Sequence, residues 1–479
     1  MSYEPVIGLE VHLQLSTATK LFCGCSAAFG GAPNSQTCPV YLGLPGTLPV
    51  LNARAFDWGI RVALALDAAL ASTMKFDRKQ YFYPDLPKGY QISQFDQPLA
   101  QRGSLEIGVG ETAKRIGITR VHMEEDAGKL LHPEQGSVTF VDFNRAGVPL
   151  LEIVSEPDLR SAEETHQYLV ELKAVLQYLD VSTCNMEEGS LRCDTNISLR
   201  PAGATAFGTK VEIKNLNSFR NVKLAVEHEV ARQTALLDQG QRIVQETRLW
   251  NAKKQVTESM RSKEGASDYR YFPEPDLVPF VVAPDRVEQV RAALPELPRG
   301  RRARLAREHG LSVYDAQVLT QDRAMAELFE GAVRAYPKPK PIANWIMGEL
   351  AAYLNAKGVT LESLKVRPEW LGHLLQLQES GTLSGPLAKQ VFAAMLERGM
   401  DPRRIVEEGG LQQISDVGQL ERIADEVIQE FPKSAEDYAG GKANALMYLV
   451  GQGMKRSQGK ANPQQMADIL KRKLAKVGA

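Results

Sequence analysis

Cysteine is scarce in this chain, five in 479 residues, which excludes a disulfide framework and leaves reduced thiols or metal ligands as their roles. Net charge is nearly absent, at -1, so no global field draws the chain to nucleic acid and any such contact needs a local patch. No apolar run approaches the ~18–20 residues of a membrane span. The N-terminus has no basic start followed by an apolar core, and a cytoplasmic protein is expected. No Gly-x-x-x-x-Gly-Lys-Ser/Thr loop occurs, which excludes an ATP site of the P-loop kind. What remains is a globular composition, 43% hydrophobic and 24% charged, on a length that demands more than one core.

The first patterned stretch is Val6 to Leu15. At strand period, Leu9, Val11, Leu13 and Leu15 share one face, and Glu10, His12 and Gln14 share the other. A carboxylate beside an imidazole fits a metal or proton-transfer site, and equally a wet sheet face. Next, Cys23, Cys25 and Cys38 offer three corners of a candidate zinc site in an irregular loop, or three ordinary thiols in a packed one. Tyr41 stands where Cys-x-x-Cys spacing would put the fourth corner. After a helical stretch between Asn52 and Ala71, the cations Arg78, Lys79 and Lys88 interleave with Tyr81, Phe82, Tyr83 and Tyr90. That mixture suits a phosphate or nucleotide, or a tyrosine-rich protein interface.

Gly108-Val-Gly110-Glu-Thr-Ala113 fits a dinucleotide fingerprint only superficially. The residues after it alternate like a strand where a helix should open, so a hairpin loop is expected. On that strand Val121, Met123 and Glu125 share a face, and His122, Glu124 and Asp126 share the other. A carboxylate on an apolar face must be paired, bound to a metal or reach water at the strand end, which marks Glu125. Asn144 and Arg145 precede the turn Gly147-Val-Pro149 between two strands, as site residues or as plain turn chemistry. Ser161 and Glu164 form a capping box for a helix to about Leu179, and Asn217-Ser218 cap another to about Leu237.

Two further strands repeat the polar face, one with Arg192, Asp194, Asn196 and Ser198, the other with Lys210, Glu212 and Lys214. Such strands predict a curved antiparallel sheet whose concave side holds a metal and an anionic ligand. Cys184 and Cys193 lack metal spacing and are expected in the core. Arg248, Arg261, Ser262 and Lys263 suit a phosphate clamp or a solvated basic loop. Prolines from Pro273 to Pro298 mark a boundary, beyond which the apolar spacing is helical to the end. The fold class expected is α+β: a sheet cradle with flanking helices over 1–292, a helical domain over 293–405 and a helical tail over 406–479. In the tail Lys442, Lys455, Arg456, Lys460, Lys471, Arg472, Lys473 and Lys476 stand against a lone Asp468, the footprint of RNA phosphates or a solvated helix end.

Long motifs in this chain resemble a known family: Val6 to Leu15, Lys79 to Gln94, Asp142 to Ile153, Lys214 to Phe219 and Asp268 to Asp276. They are similar to the B subunits of the tRNA-dependent aspartyl/glutamyl amidotransferases, over nearly the full length. The resemblance implies ATP-dependent phosphorylation of the side-chain carboxylate of Glu on tRNA(Gln) or Asp on tRNA(Asn), followed by displacement of phosphate by ammonia. It implies a glutaminase A subunit that channels the ammonia, a small C subunit, and tail contacts with tRNA. Carried onto this chain, Glu10, His12, Glu125 and Glu124 would bind magnesium, with Asp194 and Glu212 close by. Lys79, Tyr81 and Lys88 would stand at the ammonia exit or on the phosphates, and Asn144, Arg145, Lys214, Arg261 and Ser262 on ATP or substrate. Many relatives carry a fourth cysteine where this chain has Tyr41, so zinc is not expected to be held as in them. The competing readings are a non-catalytic tRNA-binding scaffold and, more weakly, a self-sufficient ligase using free ammonia.

Overall fold

The computed structural model describes residues 2–108, 113–133, 138–260, 269–411, 416–457 and 459–477, and it divides into two compact units, 1–300 and 301–479. Strands are numbered along the chain. The first unit is built on a sheet of nine strands: β1 (Tyr3–Gln14), β2 (Ala69–Leu70), β6 (Ala100–Ile107), β7 (Lys114–Glu125), β10 (Pro149–Ser155), β11 (Leu191–Pro201), β12 (Val211–Lys214), β13 (Thr247–Asn251) and β14 (Val256–Ser259). Their order is β14-β13-β12-β11-β1-β10-β7-β6-β2. Neighbours run antiparallel except the parallel pair β12 and β13. The remaining strands are β3 (Thr73–Met74), β4 (Asp77–Gln80), β5 (Tyr90–Ser93), β8 (Lys129–Leu131), β9 (Phe140–Asp142), β15 (Arg270–Pro273) and β16 (Phe280–Val281). Of these, β15, β4 and β5 form a three-stranded sheet, while β16–β3 and β8–β9 form pairs.

The opening strand sits at the middle of the large sheet, between β10 and β11. Its odd-numbered residues Leu9, Val11 and Leu13 are buried in the main core, while Glu10, His12 and Gln14 are only half-buried. The sequence alternation therefore holds, and its cause is that helices cover one face only. Helix α1 (Ala53–Ala65) packs against β7, α2 (Ala162–Tyr178) against β6, and α3 (Phe219–Asp238) against β11. Each helix starts where a side chain can satisfy a free backbone N–H. Asn52 accepts from Arg54 and Ala55, Ser161 from Glu164, and Ser218 from Asn221. The Glu164 carboxylate accepts from the Arg160 N–H, one residue earlier than an ordinary capping box places it. The buried Cys184 and Cys193 join the same core.

Two expectations change in detail. β6 and β7 form the predicted hairpin, with Ile107 opposite Lys114, while the turn residues 109–112 lie outside the described residues. The strands either side of Gly147 are not partners: β9 pairs with β8, and β10 enters the large sheet between β1 and β7.

The second unit is helical throughout its described residues. It holds two apolar clusters, one spanning Leu305 to Val406 and one spanning Leu420 to Leu474. Asn462 caps the last helix, Pro463–Val477, by accepting from Gln464 and Gln465. The reading of tail cations against a lone Asp468 is corrected here. Arg456 pairs with Glu426 and Glu430, Arg472 with Glu421, Lys473 with Asp425 and Lys442 with Asp437. Four of those acids lie on the helix Val417–Glu430, distant in sequence but packed against the last helix. Among the described residues no carboxylate pairs with Lys455, Lys460 or Lys471.

Candidate active site

Strand register assembles the site. Across β11, β1, β10 and β7 the residues Arg192, His12, Glu152 and His122 stand opposite one another in one row on the face that the helices leave open. Glu124 lies one step along β7 on the same face. His12 Nε2 is 3.5 Å from Glu152 Oε2 and 3.9 Å from Glu124 Oε1. His122 Nε2 is 3.1 Å from Glu152 and 3.7 Å from Glu124. Ser93 on β5 donates to Glu124 Oε2 at 3.0 Å. One ligand atom each from His12, Glu124 and Glu152 fall within 4.8 Å of one another, close enough to hold a metal ion.

A metal needs a neutral imidazole, so the electrostatics of the cluster set a proton against a metal at His12. Burial works against the charged form of His122, but Glu152 and Glu124 outweigh it and push its pKa up to about 9. His12 is raised by the same balance. Burial likewise opposes ionisation of Glu152, yet the two imidazoles hold its carboxyl well below the usual range. Cations frame the group. Lys79 on β4 is half-buried, its charge favoured by Glu124 and Glu152 against the cost of burial, and its ammonium lies over Tyr269 and Tyr81. Arg120, on the same face of β7, pairs with no carboxylate among the described residues.

The expected metal set does not converge as a whole. Glu10 accepts from Asn196 at 2.9 Å, and Asp194 accepts from Lys214 at 2.6 Å, both outside the cluster. Glu125 points away from Glu124, because consecutive strand residues face opposite sides. It is buried; its Oε1 accepts from Lys88 and from the Ile92 N–H, while Oε2 has no partner among the described residues. The Lys88 ammonium also lies over the Tyr41 and Tyr90 rings, at 5.2 and 5.1 Å. The wet strand end is thus excluded for Glu125, and pairing is what offsets its burial.

Lys214 also meets Glu212 at 3.0 Å, and Glu212 accepts from Thr247. Asn144 ties two loop segments, accepting from the Gln36 N–H and donating to Ala32 O, so turn chemistry accounts for it. Arg145 donates to the Ala127 and Gly128 carbonyls. Both line a cavity of about 490 Å³ with Lys129, Arg192 and Asp194. Arg261 and Ser262 lie outside the described residues.

The residues that sequence reasoning passed over are Glu152, His122 as a site member, and Arg120. Glu152 had a signal, a lone carboxylate between Leu151 and Ile153 in an apolar strand, which is stable only if something pairs with it.

The thiols of Cys23, Cys25 and Cys38 do gather within 4.8 Å. The fourth corner is not a ligand. Tyr41 is buried, its hydroxyl accepts from the Phe22 N–H at 3.1 Å and donates to Gly147 O at 3.0 Å, and burial holds its proton on. Its ring lies on Gly147, where a Cβ would come within 1.8 Å. Three thiols without that corner do not complete an all-protein tetrahedral zinc site. Tyr41→Phe strands the buried Phe22 N–H, while Gly147 O keeps the Leu21 N–H, and we expect it to cost about 1–3 kcal/mol in denaturant unfolding; an unchanged midpoint would refute that role.

Residues 5–288 match the GatB/GatE catalytic domain model, and residues 327–474 match the GatB domain model. The chain is 55% identical over 478 residues to the B subunit of the aspartyl/glutamyl-tRNA(Asn/Gln) amidotransferase of Carboxydothermus hydrogenoformans, covering 99% of each. It belongs to the amidotransferase B-subunit family. Similar relatives carrying the same name occur in Caldanaerobacter subterraneus, 54% identical over 99% of this chain and 100% of the relative, and in Geobacter sulfurreducens, with the same figures. Both the open sheet face and the His12 cluster fall in the part matched by the catalytic-domain model. The family places the chain in protein biosynthesis, as one subunit of an amidotransferase acting with tRNA. None of the described helices is long and apolar enough to cross a membrane.

Proposed function

We propose that this B subunit uses ATP to phosphorylate the side-chain carboxylate of Glu on tRNA(Gln), or Asp on tRNA(Asn), and then amidates it with ammonia. The observation that carries this reading is the His12, Glu124 and Glu152 cluster on an open sheet face framed by Lys79, Arg120 and Arg192. Two carboxylates with one imidazole fit a divalent cation, and the oxygen donors favour magnesium, with His12 as a direct or water-mediated ligand. Magnesium bound there would neutralise charge on the triphosphate and polarise it toward transfer.

Lys79 and Arg120 offset the charge that develops on the transferring phosphoryl group, which needs positioning and electrostatics more than covalent help. A substrate carboxylate oxygen attacks the γ-phosphorus and the bond to ADP breaks. Ammonia then attacks the acyl carbon, phosphate leaves, and the nitrogen sheds a proton. By the family resemblance Lys88, Tyr81 and Glu125 would meet the incoming ammonia, and a Glu125 Oε2 without a partner among the described residues supports that reading as an acceptor for it. The ammonia comes from a glutaminase A subunit, a small C subunit completes the complex, and Lys455, Lys460 and Lys471 remain as tail cations for tRNA phosphates. ATP consumption by the reconstituted complex should require both magnesium and misacylated tRNA. Steady consumption with uncharged tRNA would refute the coupling.

A further inference from the structure

Cys23, Cys25 and Cys38 gather although no fourth protein ligand among the described residues completes a metal site, so the chemistry left to them is that of thiols. Two short segments bring them together. Cys23 and Cys25 stand at the tip of a tight hairpin, closed by the Lys20 N–H to Cys25 O at 3.0 Å and the Ala27 N–H to Ala18 O at 3.2 Å. Cys38 opens the turn that carries Tyr41, and its carbonyl accepts from the Leu42 N–H at 3.1 Å. The three thiols are not equivalent. Burial pushes Cys23 up to about 12, and its sulfur accepts from the Cys25 N–H at 3.4 Å, so it is the least ready to react. Burial also works against the Cys38 thiolate, but the Tyr41 and Val40 N–H groups and the other two thiols outweigh it and hold its pKa below the ordinary value. The buried Lys20 ammonium, donating to Gln36 O at 2.7 Å, adds positive charge beside the group.

We propose that Cys38 and Cys25 form a reversible oxidation site whose disulfide displaces Tyr41 and so switches off amidation, a coupling that rests on the function proposed above. The oxidant is a peroxide. The Cys38 thiolate attacks one peroxide oxygen, the O–O bond breaks, and the leaving hydroxide takes up the proton that the thiol gave up. Cys25 then attacks the sulfenic sulfur, the S–S bond forms, and hydroxide leaves with the Cys25 proton as water. Two thiols lose two electrons and the peroxide ends as two waters. A dithiol reverses the change by exchange. The sulfurs lie within 4.8 Å of one another and must close to about 2.0 Å. The Cys25 N–H and C=O are both tied into the hairpin, so the movement falls on the Cys38 turn. Tyr41 is three residues along that turn. Its hydroxyl joins the Phe22 N–H to Gly147 O, and the Lys88 ammonium lies over its ring at 5.2 Å. Lys88 is the partner of the buried Glu125, so a shift of the turn passes to the pair proposed to meet ammonia.

The test treats the reconstituted complex with hydrogen peroxide and maps the disulfides of this chain by peptide mass spectrometry. A Cys25–Cys38 link that dithiothreitol removes is expected. Amidation should fall about ten- to a hundredfold on treatment, as when a reacting group is misplaced by about an ångström, and should return with dithiothreitol. Cys25→Ser and Cys38→Ser remove one sulfur each from half-buried positions and do not threaten folding. Complexes carrying either variant should keep their amidation through the same treatment. Absence of the link, or a loss of amidation that persists in Cys38→Ser, would overturn the proposal. A link that forms only after a chelator is added would overturn it too, because a metal would then hold the thiols. The link is read without turnover, so its presence supports the oxidation site, and its absence sinks it, even where the complex consumes no ATP. A link that leaves amidation untouched would overturn the switch.

Discussion

Replacing Glu152 by glutamine raises the magnesium concentration needed for half-maximal amidation by about ten- to a hundredfold and lowers the rate at fixed magnesium at least as much. The substitution keeps shape and one oxygen but removes a charge from a group of two carboxylates. It also replaces the acceptor shared by His12 and His122 with an amide. Two imidazoles whose pKa Glu152 raises then lose the partner that orients them. The measurement is a magnesium titration of amidation by the reconstituted complex, with glutamine hydrolysis as the control for an intact assembly. An unchanged titration would remove Glu152 from the site and leave the cluster as a structural brace.

The second large effect concerns the other face of β7. Lys88→Met leaves Glu125 buried without its cation, and removing one partner of a buried pair costs about 3–5 kcal/mol. The double variant Lys88→Met with Glu125→Leu removes the stranded charge and should recover most of that loss in a urea melt. Amidation should stay absent in the double variant if, as proposed, the polar pair meets the incoming ammonia. A double variant that is both stable and active would show that the pair serves folding alone, and a Lys88→Met protein as stable as wild type would show that Glu125 is not charged in place.

The extent to which the site was legible follows from its geometry. Strand alternation is a local property, and it showed that Glu10, His12 and Gln14 share a face and that Arg192, Asp194 and Asn196 do too. Which members of those faces meet depends on register between strands far apart in sequence. Register set His12 opposite Glu152 and Glu152 opposite His122, and it left Glu10 with Asn196. Alternation along β7, not register, separates Glu124 from Glu125, two neighbours that the family resemblance groups at one metal. The tail shows the same limit for charge. A local count found a basic helix, but acids on the helix Val417–Glu430 pair with Arg456, Arg472 and Lys473.

By itself the sequence determined the family, the α+β class, the strand faces, the helix caps and the missing fourth thiolate, because each is written in residues close along the chain or in long motifs. Tertiary structure alone decided which carboxylates converge, which cations stay unpaired and where cavities open. Those depend on pairings across more than a hundred residues, such as His12 with Glu124, that no local pattern encodes.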